Sequence, residues 1–228
     1  MSRDAAVRAQ YLQALGIDQW VPRHAAALAA AQAPQATAAW EQLADEVRGC
    51  VLCGLHATRT QTVFGVGNRN AELLVVGEAP GAEEDRQGEP FVGRAGQLLN
   101  SMLRAMRAPR ETVYIANLLK CRPPGNRDPA LGEVSACQPY LQRQIELLQP
   151  RLLLAVGRIA AQNLLGTETP IGKLRGLVHR YGERGTPLIV TYHPAYLLRS
   201  PTEKRKSWAD LRLVRGELAR LRAQPLSA

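Results

Sequence analysis

Glu72-Leu73-Leu74-Val75-Val76-Gly77-Glu78-Ala79-Pro80-Gly81 is the stretch from which the fold is read. Its continuous aliphatic run, without polar alternation, describes a strand buried on both faces, as in sheets covered by helices. The run stops at Gly77-Glu78. The Gly and Pro residues that follow set a rigid β–α turn in which backbone N–H groups approach a ligand closely. Similar runs recur at Val113-Tyr114-Ile115-Ala116, Leu152-Leu153-Leu154-Ala155-Val156 and Leu188-Ile189-Val190-Thr191. Helical patterns lie over 38–47, over 95–106 (Leu98, Leu99, Met102, Met106), over 131–148, after Gly157, and over 202–222. Strands alternating with helices predict an α/β sheet covered on both faces. Ligands of such sheets sit at the strand ends, where Gly77-Glu78, Asn117 and His193 fall.

The chain has 228 residues, 46% hydrophobic and 21% charged, which suits a folded domain rather than a disordered one. No run approaches the ~20 apolar residues of a membrane helix. Met1-Ser2-Arg3-Asp4 is not followed by an apolar core, so no secretory signal is expected. Four cysteines are too few for a disulfide scaffold, so a cytoplasmic monomer with reduced thiols is expected. The net charge of +9 points to a polyanion or to a solvated basic surface. It is uneven: Arg199 to Arg222 carries eight Lys/Arg against three Asp/Glu. The same segment places Trp208, Leu211, Val214, Leu218 and Leu221 on one helical stripe.

The cysteines form two clusters. Cys50-Val51-Leu52-Cys53 is a C-x2-C pair, and Cys121 and Cys137 follow with 15 residues between them. A tight turn aims two thiolates inward together, and four thiolates suit zinc or an iron–sulfur cluster. Spacing does not separate these two. The second pair brackets Arg122-Pro123-Pro124-Gly125-Asn126-Arg127, which a metal centre would staple to the sheet.

Taken together, several motifs resemble family 4 uracil-DNA glycosylases, the iron–sulfur branch of that superfamily. They are Gly77-Glu78-Ala79-Pro80-Gly81, Pro90-Phe91-Val92-Gly93, Asn117 with Lys120-Cys121-Arg122-Pro123, His193-Pro194-Ala195-Tyr196, and all four cysteines in order. The resemblance spans roughly Trp40 to Leu221. It implies a three-layer α/β/α sandwich with a four-stranded parallel sheet, stapled by a [4Fe–4S] cluster on Cys50, Cys53, Cys121 and Cys137. It also implies a monofunctional enzyme that flips uracil out of DNA and leaves an abasic site. Phe91 would stack on the base. Asn117 would read its O4 and N3–H, and His193 would donate to O2 as charge develops there. Gly77, Glu78, Ala79 and Gly81 would line the uracil site.

Ala79 stands where better-known uracil-DNA glycosylases carry a water-positioning Asp. A dissociative reaction is therefore implied, with Glu78 or Glu84 orienting the water. Leu197, beside Leu198, would wedge into the vacated stack, while Arg199, Lys204 and Arg205 would meet phosphates. Packing of Leu197 and Leu198 in the core is the competing reading. The segment Gly172 to His179 lacks the extended basic insertion of DNA-trapping relatives, so turnover is expected. The alternative class is a cluster-stapled DNA-binding or uracil-sensing module without turnover.

Residues 1–36 read separately from the domain at 37–228. Ten of the 15 residues from Ala25 to Ala39 are alanine, the mark of a linker or a frayed helix. Before it, Leu12-Gln13-Ala14-Leu15-Gly16-Ile17-Asp18-Gln19-Trp20 resembles the N-terminal peptide by which the psi subunit of the bacterial clamp loader docks on its chi subunit. The resemblance implies a docking peptide at residues 11–20.

Overall fold

The structure is a computed structural model that describes residues 37–223. The docking peptide and most of the Ala-rich segment lie outside the described residues. The chain divides after Glu41, and the unit Gln42–Ala228 carries the sheet and the site. Strands β1 (Val66–Gly67), β2 (Leu73–Gly77), β3 (Tyr114–Asn117), β4 (Leu152–Val156), β5 (Val178–Tyr181) and β6 (Thr186–Thr191) form one sheet in the order β1-β3-β2-β4-β6-β5. The expected four parallel strands are its centre, β3-β2-β4-β6. The sheet itself is six-stranded, because β1 and β5 pair antiparallel on its two edges.

Both edges escape a search for buried runs. β1 has two residues, and β5 alternates half-buried with exposed positions and joins β6 through a Gly182–Gly185 turn. Such alternation suits a strand with one solvated face.

Parallel pairing fixes the site by register. Gly77 lies opposite Asn117, and Val156 opposite Thr191, so the four central strands end side by side. Relative to sequence, the centre has the doubly wound order 2-1-3-4, whose switch point lies between β2 and β4. Leu73, Val75, Ile115, Leu154 and Ile189 form one apolar face, packed with α3 (Arg94–Ala105) through Leu99 and Leu103 and with α8 (Lys204–Ala223) through Leu211 and Val214. Leu74 and Val76 alternate to the other face and are equally buried. The connection from β3 to β4 passes β2 and carries α4 (Leu131–Leu148), whose Val134, Leu141, Ile145 and Leu148 are buried. Short helices α2 (Ala82–Gln87), α5 (Arg158–Leu165), α6 (Ile171–Leu174) and α7 (Pro194–Arg199) complete this unit, and α1 (37–48) leads into it.

Trp208 departs from the expected apolar stripe of α8. It is 46% exposed, while Leu211, Val214 and Leu218 are buried.

Candidate active site

Gly77, Phe91, Asn117 and His193 meet at the ends of β2, β3 and β6. A Cβ on Gly77 would lie 2.4 Å from Asn117 Oδ1 and 2.6 Å from Phe91 Cζ, so only glycine lets the amide and the ring close over this strand end. The Phe91 and His193 ring centroids are 5.7 Å apart and tilted by 31°. Asn117 is 2% exposed, and its Oδ1 has no hydrogen-bond partner. A buried acceptor left unpaired costs about 1–3 kcal/mol, and such a group calls for an explanation. A ligand N–H is one.

Phe91 has φ 55°, a left-handed conformation costly for a bulky residue. The surroundings hold it there. Arg110 Nη2 donates to Pro90 O (2.6 Å), and its Nη1 to Phe91 O (3.4 Å) and Asn100 Oδ1 (3.3 Å). Gly96 makes room, since a Cβ there would lie 1.8 Å from Phe91 O. Glu84 Oε1 accepts from the N–H groups of Val92 and Gly93 (both 3.0 Å), and its Oε2 accepts from Gly81 N–H (3.1 Å). Glu84 thus staples the Gly81 turn to the Phe91 turn. The Gly81 N–H is spent on Glu84, so Gly81 shapes the turn.

Glu78 follows β2 directly, and its main-chain O accepts from Leu119 N–H (3.0 Å). Burial, reinforced by the negative charge of Asp128 and opposed by Arg158, pushes its carboxyl up to about 7. That value suits a group that exchanges protons near neutrality. Ala79 follows it and brings no titratable group.

His193 caps α7, and its Nδ1 accepts from Ala195 N–H (3.2 Å). Burial and the charge of Arg199 push its imidazolium down to about 4, against the pull of Glu84. A neutral imidazole with Nδ1 accepting carries its proton on Nε2. Gly157 (φ 101°) lies under the ring, where a Cβ would come within 3.1 Å of His193 Cβ. Two residues back, Thr191 Oγ1 donates to the fully buried Asp210 (3.0 Å), which Arg175 grips through Nε (3.0 Å) and Nη2 (2.8 Å). This triad anchors the end of β6.

Cys50, Cys53, Cys121 and Cys137 line one recess walled by Val47, Leu52, Leu55 and Leu119. Arg59 Nη1 donates to Cys121 Sγ (3.2 Å) and to Cys50 O (2.8 Å), and Lys120 N–H donates to Cys137 Sγ (3.2 Å). Burial pushes the Cys137 thiol up to about 11, opposed by Lys120. N–H donors aimed at sulfur in an apolar recess fit ligating thiolates. Among the described residues, no three His, Cys, Asp or Glu side chains close around a single metal ion.

The expected DNA contacts divide. Leu197 is 1% exposed and belongs to the core with Leu211 and Val214, so it is not a wedge; a six-residue helix at a strand end must bury one side. Leu198 is its exposed neighbour, and Arg199, Lys204 and Arg205 are exposed as well. Sequence reading missed Arg110, Gln144, Arg175 and Asp210, whose partners lie 10 to 80 positions away along the chain. No local pattern marks such residues. Among the described residues, no helix is long and apolar enough to cross a membrane.

Comparison with known proteins agrees with this geometry. The family model of the uracil DNA glycosylase superfamily matches residues 64–212. A type-4 uracil-DNA glycosylase of Archaeoglobus fulgidus is 45% identical over 185 residues, 78% of this chain and 92% of that protein. Type-4 enzymes of Saccharolobus solfataricus (42% over 184 residues; 78% and 85% covered) and Thermotoga maritima (44% over 162; 70% and 83%) are similar too. On a family match that spans the strand ends and relatives aligned over most of their length, the chain belongs to the uracil-DNA glycosylase superfamily, alongside its type-4 members.

Proposed function

We propose that this enzyme excises uracil from DNA by reading the flipped base with Asn117 and stabilising the departing uracil anion with His193. The unpaired, buried Asn117 Oδ1 carries the reading. Uracil N3–H would donate to it while Asn117 Nδ2 donates to O4. Phe91, across the Gly77 floor, offers its face to the base. The His193 Nε2–H points a neutral donor to O2, where charge grows as the N-glycosidic bond breaks. Water then adds to the sugar cation. Glu78 is the better candidate to orient it, because Glu84 is committed to three backbone N–H groups. The products are free uracil and an abasic site. An alkali-cleavage gel assay on uracil-containing oligonucleotide tests the reading, and absence of an abasic product would sink it. The sensing alternative without turnover is not favoured by relatives that are themselves glycosylases.

If Glu78 orients water, it must be ionised. The single-turnover rate is then expected to rise with pH through about 7, where its carboxyl titrates. Glu78→Gln should be slower and flat across pH 6–8, by about 10²-fold at the plateau. A rise surviving in that variant would reassign the titration.

Cys50, Cys53, Cys121 and Cys137 would hold a [4Fe–4S] cluster whose task is structural. When bound, it joins the 50–53 turn and the 121 loop to α4. Cys137→Ser in iron-replete protein is expected to lose the broad visible absorbance and to melt on the order of 10 °C lower. An unchanged melt would show that the recess holds no stabilising centre.

Arg199, Lys204 and Arg205 would meet DNA phosphates near the pocket. Residues 11–20 would dock on a clamp-loader chi subunit, with the Ala-rich segment as a tether that raises local concentration. Purified chi that fails to bind the full chain would remove that partner.

A further inference from the structure

Lys120 is an ammonium with 1% exposure that the chemistry above does not use. Its Nζ donates to the main-chain O of Asn117 (2.8 Å) and to Gln144 Oε1 (2.6 Å). Gln144 is itself fully buried, and its Nε2 donates to Phe64 O (2.9 Å), so its amide is oriented with Oε1 toward the lysine. The hydrogen bonds of this ammonium thus end on neutral amide oxygens. Burying this side chain is costly unless those hydrogen bonds are kept, and the charge that favours it is that of Cys137.

The bonds have direction, however. The peptide after Asn117 is held from its other side by the ladder, where Leu118 N–H donates to Gly77 O (2.9 Å) and Leu119 N–H to Glu78 O (3.0 Å). Lys120 closes the remaining side. Its own N–H donates to Cys137 Sγ, and Cys137 and Gln144 both belong to α4.

We propose that Lys120 is a positioning residue that fixes the Asn117 peptide, and through it the uracil-reading amide, against the cysteine-bearing helix α4. It rests on the uracil-excision reading. Asn117 has no hydrogen bond at Oδ1 to hold its side chain, so the peptide on either side of it sets where the amide points. A misplacement of about 1 Å at such a site costs about 10²-fold in rate. The same lysine joins the pocket to the cysteine recess, so disturbance at Cys137 reaches Asn117 through two consecutive hydrogen bonds.

The test uses the full chain, iron-replete, with wild type in the same assay. Lys120→Met is expected to keep the visible absorbance and lower the single-turnover rate by about 10²-fold. It should raise the inhibition constant of free uracil by a comparable factor and leave affinity for abasic-site duplex unchanged. Gln144→Leu should lose about 10-fold, and Gln144→Glu, which restores an acceptor, should recover most of that. Rates within threefold of wild type at intact absorbance in either Lys120→Met or Gln144→Leu overturn the proposal. So does a rate that falls only in proportion to lost absorbance in both, since the residues would then be structural. Failure of wild type to release uracil would overturn the enzyme reading instead.

Discussion

Asn117→Ala is expected to slow single-turnover excision of uracil by about 10³-fold while leaving the visible absorbance and the melting temperature close to wild type. The stability half follows from the orphaned oxygen. Asn117 Oδ1 has no partner in the protein, so its removal relieves a buried unpaired acceptor and breaks no bond to that atom. The strand survives, because its ladder to Gly77 and its bond from Lys120 use main-chain atoms. The rate half follows from the same oxygen. Uracil brings a donor at N3 and an acceptor at O4, and the amide answers both. Cytosine reverses the pattern, and a site that leaves buried polar groups unpaired rejects the wrong base by about 10⁴-fold or more. Asn117→Asp sharpens the test. An ionised carboxylate repels O4, whereas its protonated form presents an acceptor to the cytosine amino group and a donor to N3. That variant should lose uracil excision and gain measurable cytosine release at low pH. Wild-type rates in Asn117→Ala would mean that the base is read elsewhere.

Much of this site was legible because chain-local chemistry wrote it. Aliphatic runs located the four central strands within two residues, and the run from Leu152 to Val156 coincides with β4. Strand-end positions then named Gly77, Asn117 and His193, because parallel pairing aligns carboxyl ends. What stayed hidden is what depends on partners distant in sequence. Phe91 is named as a site residue through the family resemblance, and it does lie beside His193 and over Gly77. Its left-handed backbone could not be read that way, since Arg110, Gly96 and Glu84 impose it from three other elements. Glu84 read as a possible water-orienting group because acidity is visible in sequence, whereas hydrogen-bond commitments are not. Leu197 and Leu198 are adjacent apolar residues that sequence cannot rank. The helix end that carries His193 turns the first into the core and the second outward. Edge strands were lost for a related reason: their hydrogen bonds to β3 and β6 create them, not any apolar run of their own.

His193→Ala is expected to cut the single-turnover rate by about 10²–10³-fold, the usual cost of removing one donor from a developing oxyanion. The geometry says which proton is lost. Ala195 N–H occupies Nδ1, so Nε2 carries the hydrogen, and burial with Arg199 nearby keeps the ring neutral down to about pH 4. A neutral donor can strengthen its bond as uracil becomes anionic without having to give up its proton first. His193→Gln, whose amide reaches a similar place with an N–H, should retain part of the rate that His193→Ala loses. The cap bond to Ala195 disappears in the alanine variant, at about 1 kcal/mol of stability, far too little to unfold the enzyme. Stability against pH gives an independent check. The folded ring has its pKa lowered from an ordinary 6.5 to about 4, so between these values the unfolded chain binds the extra proton. Wild type must therefore lose stability as pH falls from 6.5 toward 4, and His193→Ala should lose less over that window. If the two slopes coincide, the ring is not held neutral. If His193→Ala keeps wild-type activity at pH 7, the donor to O2 lies elsewhere, and the half-buried, neutral imidazole beside Phe91 serves only to cap α7.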